Sequence, residues 1–246
     1  MNLNDLICTG AKPLFFLDYF ATNKLNVELT STFVIALKKE LAKYNCTLLG
    51  GETAELNDLI KEGHFDVGGF MVGIVKKNKV LSQKNVKTGD VVIALKSSGP
   101  HSNGYSLIRV LHEKGQLSEE FFEKALEPTF IYAKEIIEVV EKNIVHSCAN
   151  ITGGGIEDNL IRSIPSGLCA VIDKEKIIKQ NLFEKLKKLI GEKEAFKTFN
   201  MGVGFCIIAP KQNIEEIFKI CKNYEPTIIG EINEEIQCSD IRFRWA

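Results

Sequence analysis

No apolar stretch in this 246-residue chain approaches the ~20 residues a helix needs to span a bilayer. The opening MNLNDLICTGAKPLFFLDYF also lacks a basic region followed by a continuous apolar run and a small-residue cleavage site. No membrane is expected as a partner. Charge of one sign is missing too: 31 Lys and Arg stand against 32 Asp and Glu, net −1, with no block of like charge. That argues against a nucleic-acid stripe, so any anionic ligand must be held locally. The seven cysteines, Cys8, Cys46, Cys148, Cys169, Cys206, Cys221 and Cys238, form no C-x-x-C pair and sit mostly in apolar runs. They read as reduced core residues of a cytoplasmic protein rather than a disulfide frame or zinc site. Internal repeats and low-complexity segments are absent, which excludes a solenoid.

What is present is an ordinary globular composition, 45% hydrophobic and 26% charged, with room for one large domain or two modest ones. Pro13 reads as the end of a first short segment, and Leu14 to Ala21 as a strand. Thr30 is a candidate N-cap for a helix with Phe33, Leu37 and Leu41 on one face. Cys46 to Leu49 is a short strand running into the turn Gly50-Gly51-Glu52-Thr53-Ala54-Glu55, and Asp66 to Lys76 a longer strand. The polar stretch from Lys76 to Asp90 is the best boundary the composition offers. Beyond it the pattern predicts strands at 91–95, 170–173, 203–209, 227–232 and 241–245, and helices at 103–114, 118–126, 130–141, 156–163, 182–194 and 214–223. The fold class expected is α/β, mixed with α+β character, in two domains divided as 1–86 and 87–246.

Ten polar and glycine residues, Ser97-Ser98-Gly99-Pro100-His101-Ser102-Asn103-Gly104-Tyr105-Ser106, fill a strand-to-helix connection that needs two to six. Asn103 is placed to cap the following helix, whose first backbone donors would seat a phosphate, with His101 and Ser102 adding side-chain donors. The plain alternative is a polar capped turn. A second turn, Asn150-Ile151-Thr152-Gly153-Gly154-Gly155, can form an amide nest for an anion or serve only as punctuation. Asp5 and Glu52 are carboxylates of the kind that hold Mg²⁺ together with phosphate oxygens; taken singly, each reads as a solvated surface acid. His64, His112 and His146 have no ligand-spaced partner and read as surface or satisfied core residues.

These words occur in one order: Asn4-Asp5-Leu6, Lys12 to Tyr19 (KPLFFLDY), Gly50 to Glu55 (GGETAE), Asp66 to Phe70 (DVGGF), Ser97 to Ser106, Pro128-Thr129, Thr152 to Gly155 (TGGG) and Asn200 to Gly204 (NMGVG). In that order the chain resembles phosphoribosylformylglycinamidine cyclo-ligase, the AIR synthetase family. The resemblance implies a two-domain fold shared with selenophosphate synthetase and thiamine-monophosphate kinase, a homodimer built through the first domain, and ATP in a cleft near that interface. It implies ATP- and Mg²⁺-dependent closure of formylglycinamidine ribonucleotide to aminoimidazole ribonucleotide, with phosphoryl transfer to the amide oxygen. On it, Asp5, Glu52 and His101 take catalytic roles. Asn4, Asp5, Gly50, Gly51, Glu52 and Thr53 meet ATP, with Asp5 and Glu52 on the metal. Ser102, Asn103, Gly104, Asn150, Thr152, Gly153, Gly154 and Gly155 meet substrate or phosphate.

Two departures are visible against the family pattern. A glycine-rich loop and an Asp-Gly-Val-Gly-Thr-Lys motif usually precede the matched words, so the first domain is expected to be partial and these residues alone to have little or no cyclo-ligase activity. Asn150 stands where the family usually has histidine, and an amide carries no proton near neutral pH. A non-catalytic homologue that binds ribonucleotide or a partner is the alternative.

Overall fold

The computed structural model describes residues 1–234 and 243–245. The first strand, β1 (Lys12–Thr22), is the middle of a three-stranded sheet, parallel to β2 (Thr47–Glu55) and antiparallel to β3 (Phe65–Ile74). Helix α2 (Val27–Ala42) joins β1 to β2 and covers one sheet face, where Phe16, Leu41 and Cys46 form the core with Leu37, Leu48 and Met71 around them. Its cap is Asn26, whose side chain accepts from the Leu29 N–H at 3.0 Å, so Thr30 lies one turn inside the helix it was expected to start. Pro13 lies within β1 rather than ending a segment. The GGETAE stretch is likewise a strand, not a turn: Gly50 to Glu55 pair in register with Leu17 to Thr22.

After two short 3₁₀ turns at Lys77–Lys79 and Gln83–Asn85 comes the second sheet. It contains β4 (Val91–Lys96), β5 (Ser147–Asn150), β6 (Leu168–Ile172), β7 (Val203–Ala209), β8 (Thr227–Glu234) and β9 (Phe243–Trp245), in the order β5-β7-β4-β8-β6-β9. Val91 to Leu95 is apolar throughout because both faces of β4 are covered. Val91, Ile93 and Leu95 pack on α5 (Ala133–Glu141) and α9 (Ile214–Ile220), while Val92 and Ala94 face α6 (Gly155–Leu160). A helical layer of α3 (Tyr105–Glu113), α4 (Glu119–Ala125), α7 (Asn181–Ile190) and α8 (Glu192–Thr198) has its own core around Phe183 and Phe199. The helix expected over 182–194 is broken at Gly191, whose φ of 87° suits glycine. The helix expected from Phe130 starts at Ala133. Residues 235–242, which include Cys238 and the start of the last expected strand, lie outside the described residues.

The first helix, α1 (Asn2–Ile7), positions the site. Its Leu3 and Ile7 are buried in the same cluster as Val91, Ile93 and α5, so this opening segment packs on the second sheet's core. Asn2 reaches the other way, donating to the Gly69 carbonyl of β3 at 2.6 Å.

Candidate active site

Strands β4 and β5 both run antiparallel to β7 and are therefore parallel to each other, so the loops leaving Lys96 and Asn150 emerge at one end of the sheet. The 97–104 loop and the 150–155 turn consequently meet. A Cβ placed on Gly153 would lie 3.1 Å from Asn103 Oδ1. Asp5 arrives from α1, and the Asn150 amide nitrogen donates to its Oδ1 at 2.7 Å across 145 positions. Asp5, Ser102 and Gly153 are the exposed members of this corner, with Asn103 and Thr152 half-buried beside them.

Residue by residue, the corner departs from expectation. The N-cap of α3 is Gly104 at φ 75°, not Asn103, and no side chain caps this end. The Asn103 amide turns back instead, donating to the His101 carbonyl at 2.7 Å. Gly104 is required there twice over, by its left-handed φ and by the Phe199 ring, which leaves no room for a Cβ. His101 is 0% exposed, so its ring presents no open surface. Its Nε2 accepts from the Ser98 N–H at 3.1 Å and the Phe130 N–H at 3.4 Å, which assigns the proton to Nδ1, where it has no partner and faces Gly204. Burial lowers its pKa to about 4, so the ring stays neutral near pH 7. His101 and Ser102 both hold left-handed backbone, φ 52° and 63°, a cost that this network maintains. His101 thus builds the loop and Ser102 faces solvent.

Asn4 is 0% exposed, its amide donating to the Phe130 carbonyl and accepting from the Tyr132 N–H. Rather than lying open to ATP, it ties α1 to the 130–132 segment. The glycine turn has a clamp that the sequence reading missed. Asn159, four residues after Gly155 on α6, donates to the Gly155 carbonyl at 2.7 Å and the Gly153 carbonyl at 3.1 Å, while Thr152 Oγ1 donates to its Oδ1. Asn200 was quoted only as a family word. It is buried, donating to the Gly99 carbonyl and accepting from the Gly202 N–H, and so binds the 97–104 loop to the turn before β7. A buried amide in an otherwise apolar helix stripe was the available signal for Asn159.

Glu52 is not brought to Asp5. It pairs in register with Tyr19, and Tyr19 with Gly68, so Glu52 stands on the outer strand, roughly 10 Å across the sheet from β3. An open cavity of about 600 Å³ adjoins it, lined by Leu17, Asp18, Tyr19, Gly51, Glu52, Gly68, Gly69 and Phe70. A wider groove of about 1160 Å³ lies on the far side of Ser98, among Lys96, Thr129, Gln180 and Tyr224, and includes neither Asp5 nor the glycine turn. Among the described residues no group of three or more His, Cys, Asp or Glu side chains could hold a metal alone. A single exposed carboxylate still suits Mg²⁺, which takes one or two carboxylates and fills its octahedron with phosphate oxygens and water.

Residues 1–75 match the AIR synthase related protein, N-terminal domain, and residues 87–239 match the AIR synthase related protein, C-terminal domain. The phosphoribosylformylglycinamidine cyclo-ligase of Clostridium perfringens strain 13 is 43% identical over 242 residues, 95% of this chain and 72% of the relative. The chain belongs to the phosphoribosylformylglycinamidine cyclo-ligase family. The chloroplastic member from Arabidopsis thaliana is 40% identical over 94% of this chain and 63% of its own length. In fold alone, the chain is similar to E. coli HypE, with a TM-score of 0.75 at 16% identity over 100% of this chain and 73% of that one. Thiamine-monophosphate kinase from Stenotrophomonas maltophilia K279a gives 0.72 at 17% identity, covering 99% and 75%. A hydrogenase maturation protein HypE solved in complex with ATP gives 0.70 at 14% identity, covering 95% and 69%.

Proposed function

We propose that this chain carries out the reaction for which its relatives are named, ATP-dependent closure of formylglycinamidine ribonucleotide to aminoimidazole ribonucleotide. The observation that carries it is the meeting of Asp5, Asn150, Asn103 and the 153–155 turn at one sheet end, in a chain 43% identical to a cyclo-ligase over 95% of its length. ATP supplies the phosphoryl group that makes the amide oxygen a leaving group, and Mg²⁺ offsets its charge. What the protein must add is position and neutralisation. Asp5 presents a carboxylate to the metal. Ser102 and the exposed Gly153 backbone form the polar wall for the nucleotide or its phosphate, and Asn159 and Asn200 keep that wall rigid. Gly50, Gly51, Glu52 and Thr53 are assigned to ATP on the outer strand of the first sheet. No observation favours the non-catalytic alternative.

The sheet face opposite α2 supports a homodimer. Phe15 and Val72 pair in register there, as do Leu17 and Phe70, and Phe70 is 70% exposed. A second copy would cover this apolar patch and bring the strand bearing Glu52 to the junction. Cys8, Cys46, Cys148, Cys206 and Cys221 are free thiols, which supports the cytoplasm as the compartment, and no described helix is long and apolar enough to cross a membrane. The test is formation of aminoimidazole ribonucleotide and ADP from formylglycinamidine ribonucleotide and ATP by the purified protein; consumption of neither substrate overturns the reading.

A further inference from the structure

Asn150 is the last residue of β5, 7% exposed, its backbone fixed in register with Phe205 of β7. Its amide has one partner. Nδ2 donates to Asp5 Oδ1 at 2.7 Å, while its own Oδ1 is buried with no partner. Turning the amide over would set oxygen against oxygen at Asp5 and leave the NH₂ group unpartnered, so the Asp5 contact alone decides its orientation. A buried acceptor left without a donor is costly, and packing does not explain it. Asp5 is held from its other side as well. Its helix is pinned by buried Leu3 and Ile7 and by both bonds of Asn4, so the carboxylate is oriented by its backbone below and by Asn150 above.

We propose that Asn150 is a positioning residue that occupies one oxygen of Asp5 and leaves the other for a cation, so that Asp5 binds through a single oxygen. The inference rests on the reading of Asp5 as the metal carboxylate. One-oxygen coordination suits a small octahedral ion of the Mg²⁺ or Mn²⁺ kind. A carboxylate free to use both oxygens suits Ca²⁺, which takes 6–8 ligands and accepts bidentate carboxylates. Because the donor is a neutral amide, Asp5 keeps its full charge for the ion.

The experiment measures binding of Mn²⁺ with ADP by electron paramagnetic resonance, and Ca²⁺ with ADP by competition, for the wild-type protein, Asn150→Ala, Asn150→Ser and Asn150→His, each checked for folding by its thermal melt. Serine is too short to reach Asp5, so Ala and Ser are expected to lose roughly 10–100-fold in Mn²⁺ affinity and to lose less for Ca²⁺. Histidine restores a donor at this position and is expected to recover most of the preference for Mn²⁺. Equal losses for the two ions, or no loss in either truncated variant, overturn the inference while leaving Asp5 as metal carboxylate intact. A wild-type protein that binds neither ion with ADP overturns both readings.

Discussion

Replacing His101 with alanine tests whether the 97–104 loop is built by a buried ring or by its ligand contacts. The substitution removes a fully buried imidazole and leaves the Ser98 and Phe130 N–H groups without their shared acceptor. Both donors lie on partly open segments that water can reach, so they contribute less than buried orphans; the cavity contributes the rest. Together the loss is about 2–4 kcal/mol, or roughly 4–16 °C in melting temperature for a chain of this size. The pH dependence gives a second, independent reading. Burial lowers the folded-state pKa of His101 from 6.5 to about 4, so the unfolded chain takes up its proton first as pH falls. This group's contribution to stability is therefore full above pH 6.5 and lost as pH falls toward 4, on the order of 3 kcal/mol across that window. Thermal melts of wild type and His101→Ala from pH 7.5 to 4.5 should show a large gap at neutral pH that narrows on acidification. A variant that melts with the wild type at neutral pH, yet loses substrate binding, would refute the reasoning and return His101 to a direct contact.

Other residues give sharper single outcomes. Gly104→Ala should cost roughly 2–4 kcal/mol, from a left-handed φ imposed on alanine and a collision with Phe199, seen as a lowered melting temperature. Asn159→Ala should loosen the 153–155 turn, costing about 1–3 kcal/mol and raising the substrate KM more than it lowers kcat, as steady-state kinetics would show. Phe70→Asp should shift the protein to monomer in sedimentation while its far-ultraviolet circular dichroism stays unchanged, because the side chain packs on little within its own chain.

Much of the fold was legible from periodicity. The apolar runs at 91–95 and 203–209 announced strands, and the amphipathic stretch after Gln180 announced a helix. What local pattern could not give was the tertiary use of polar residues. Asn103 has an N-cap's composition, but its amide satisfies the His101 carbonyl within a left-handed loop, so the cap falls to Gly104. GGETAE has a turn's composition, yet strand pairing with β1 extends it, and Gly51 is glycine because Asp18 occupies the space a Cβ would need. Histidine in a polar loop suggested chemistry, whereas its position over Gly204 gives it a place in the core. The Asp5–Asn150 bond joins residues 145 apart, and no reading of either neighbourhood predicts it. Both residues were nonetheless among the candidates, Asp5 because a family word contains it and Asn150 because it opens the glycine turn.

The central claim is that chemistry occurs where Asp5 meets the glycine turn, and the rate of aminoimidazole ribonucleotide formation in Asp5→Asn tests it most directly. The substitution keeps shape and removes one charge from an exposed side chain, so folding should be unaffected. The account predicts a loss of at least ~100-fold relative to wild type, equivalent to roughly 2.7 kcal/mol of transition-state stabilisation, with an unchanged melting temperature. An Asp5→Asn protein that turns over at the wild-type rate, however slow that rate is, would contradict it.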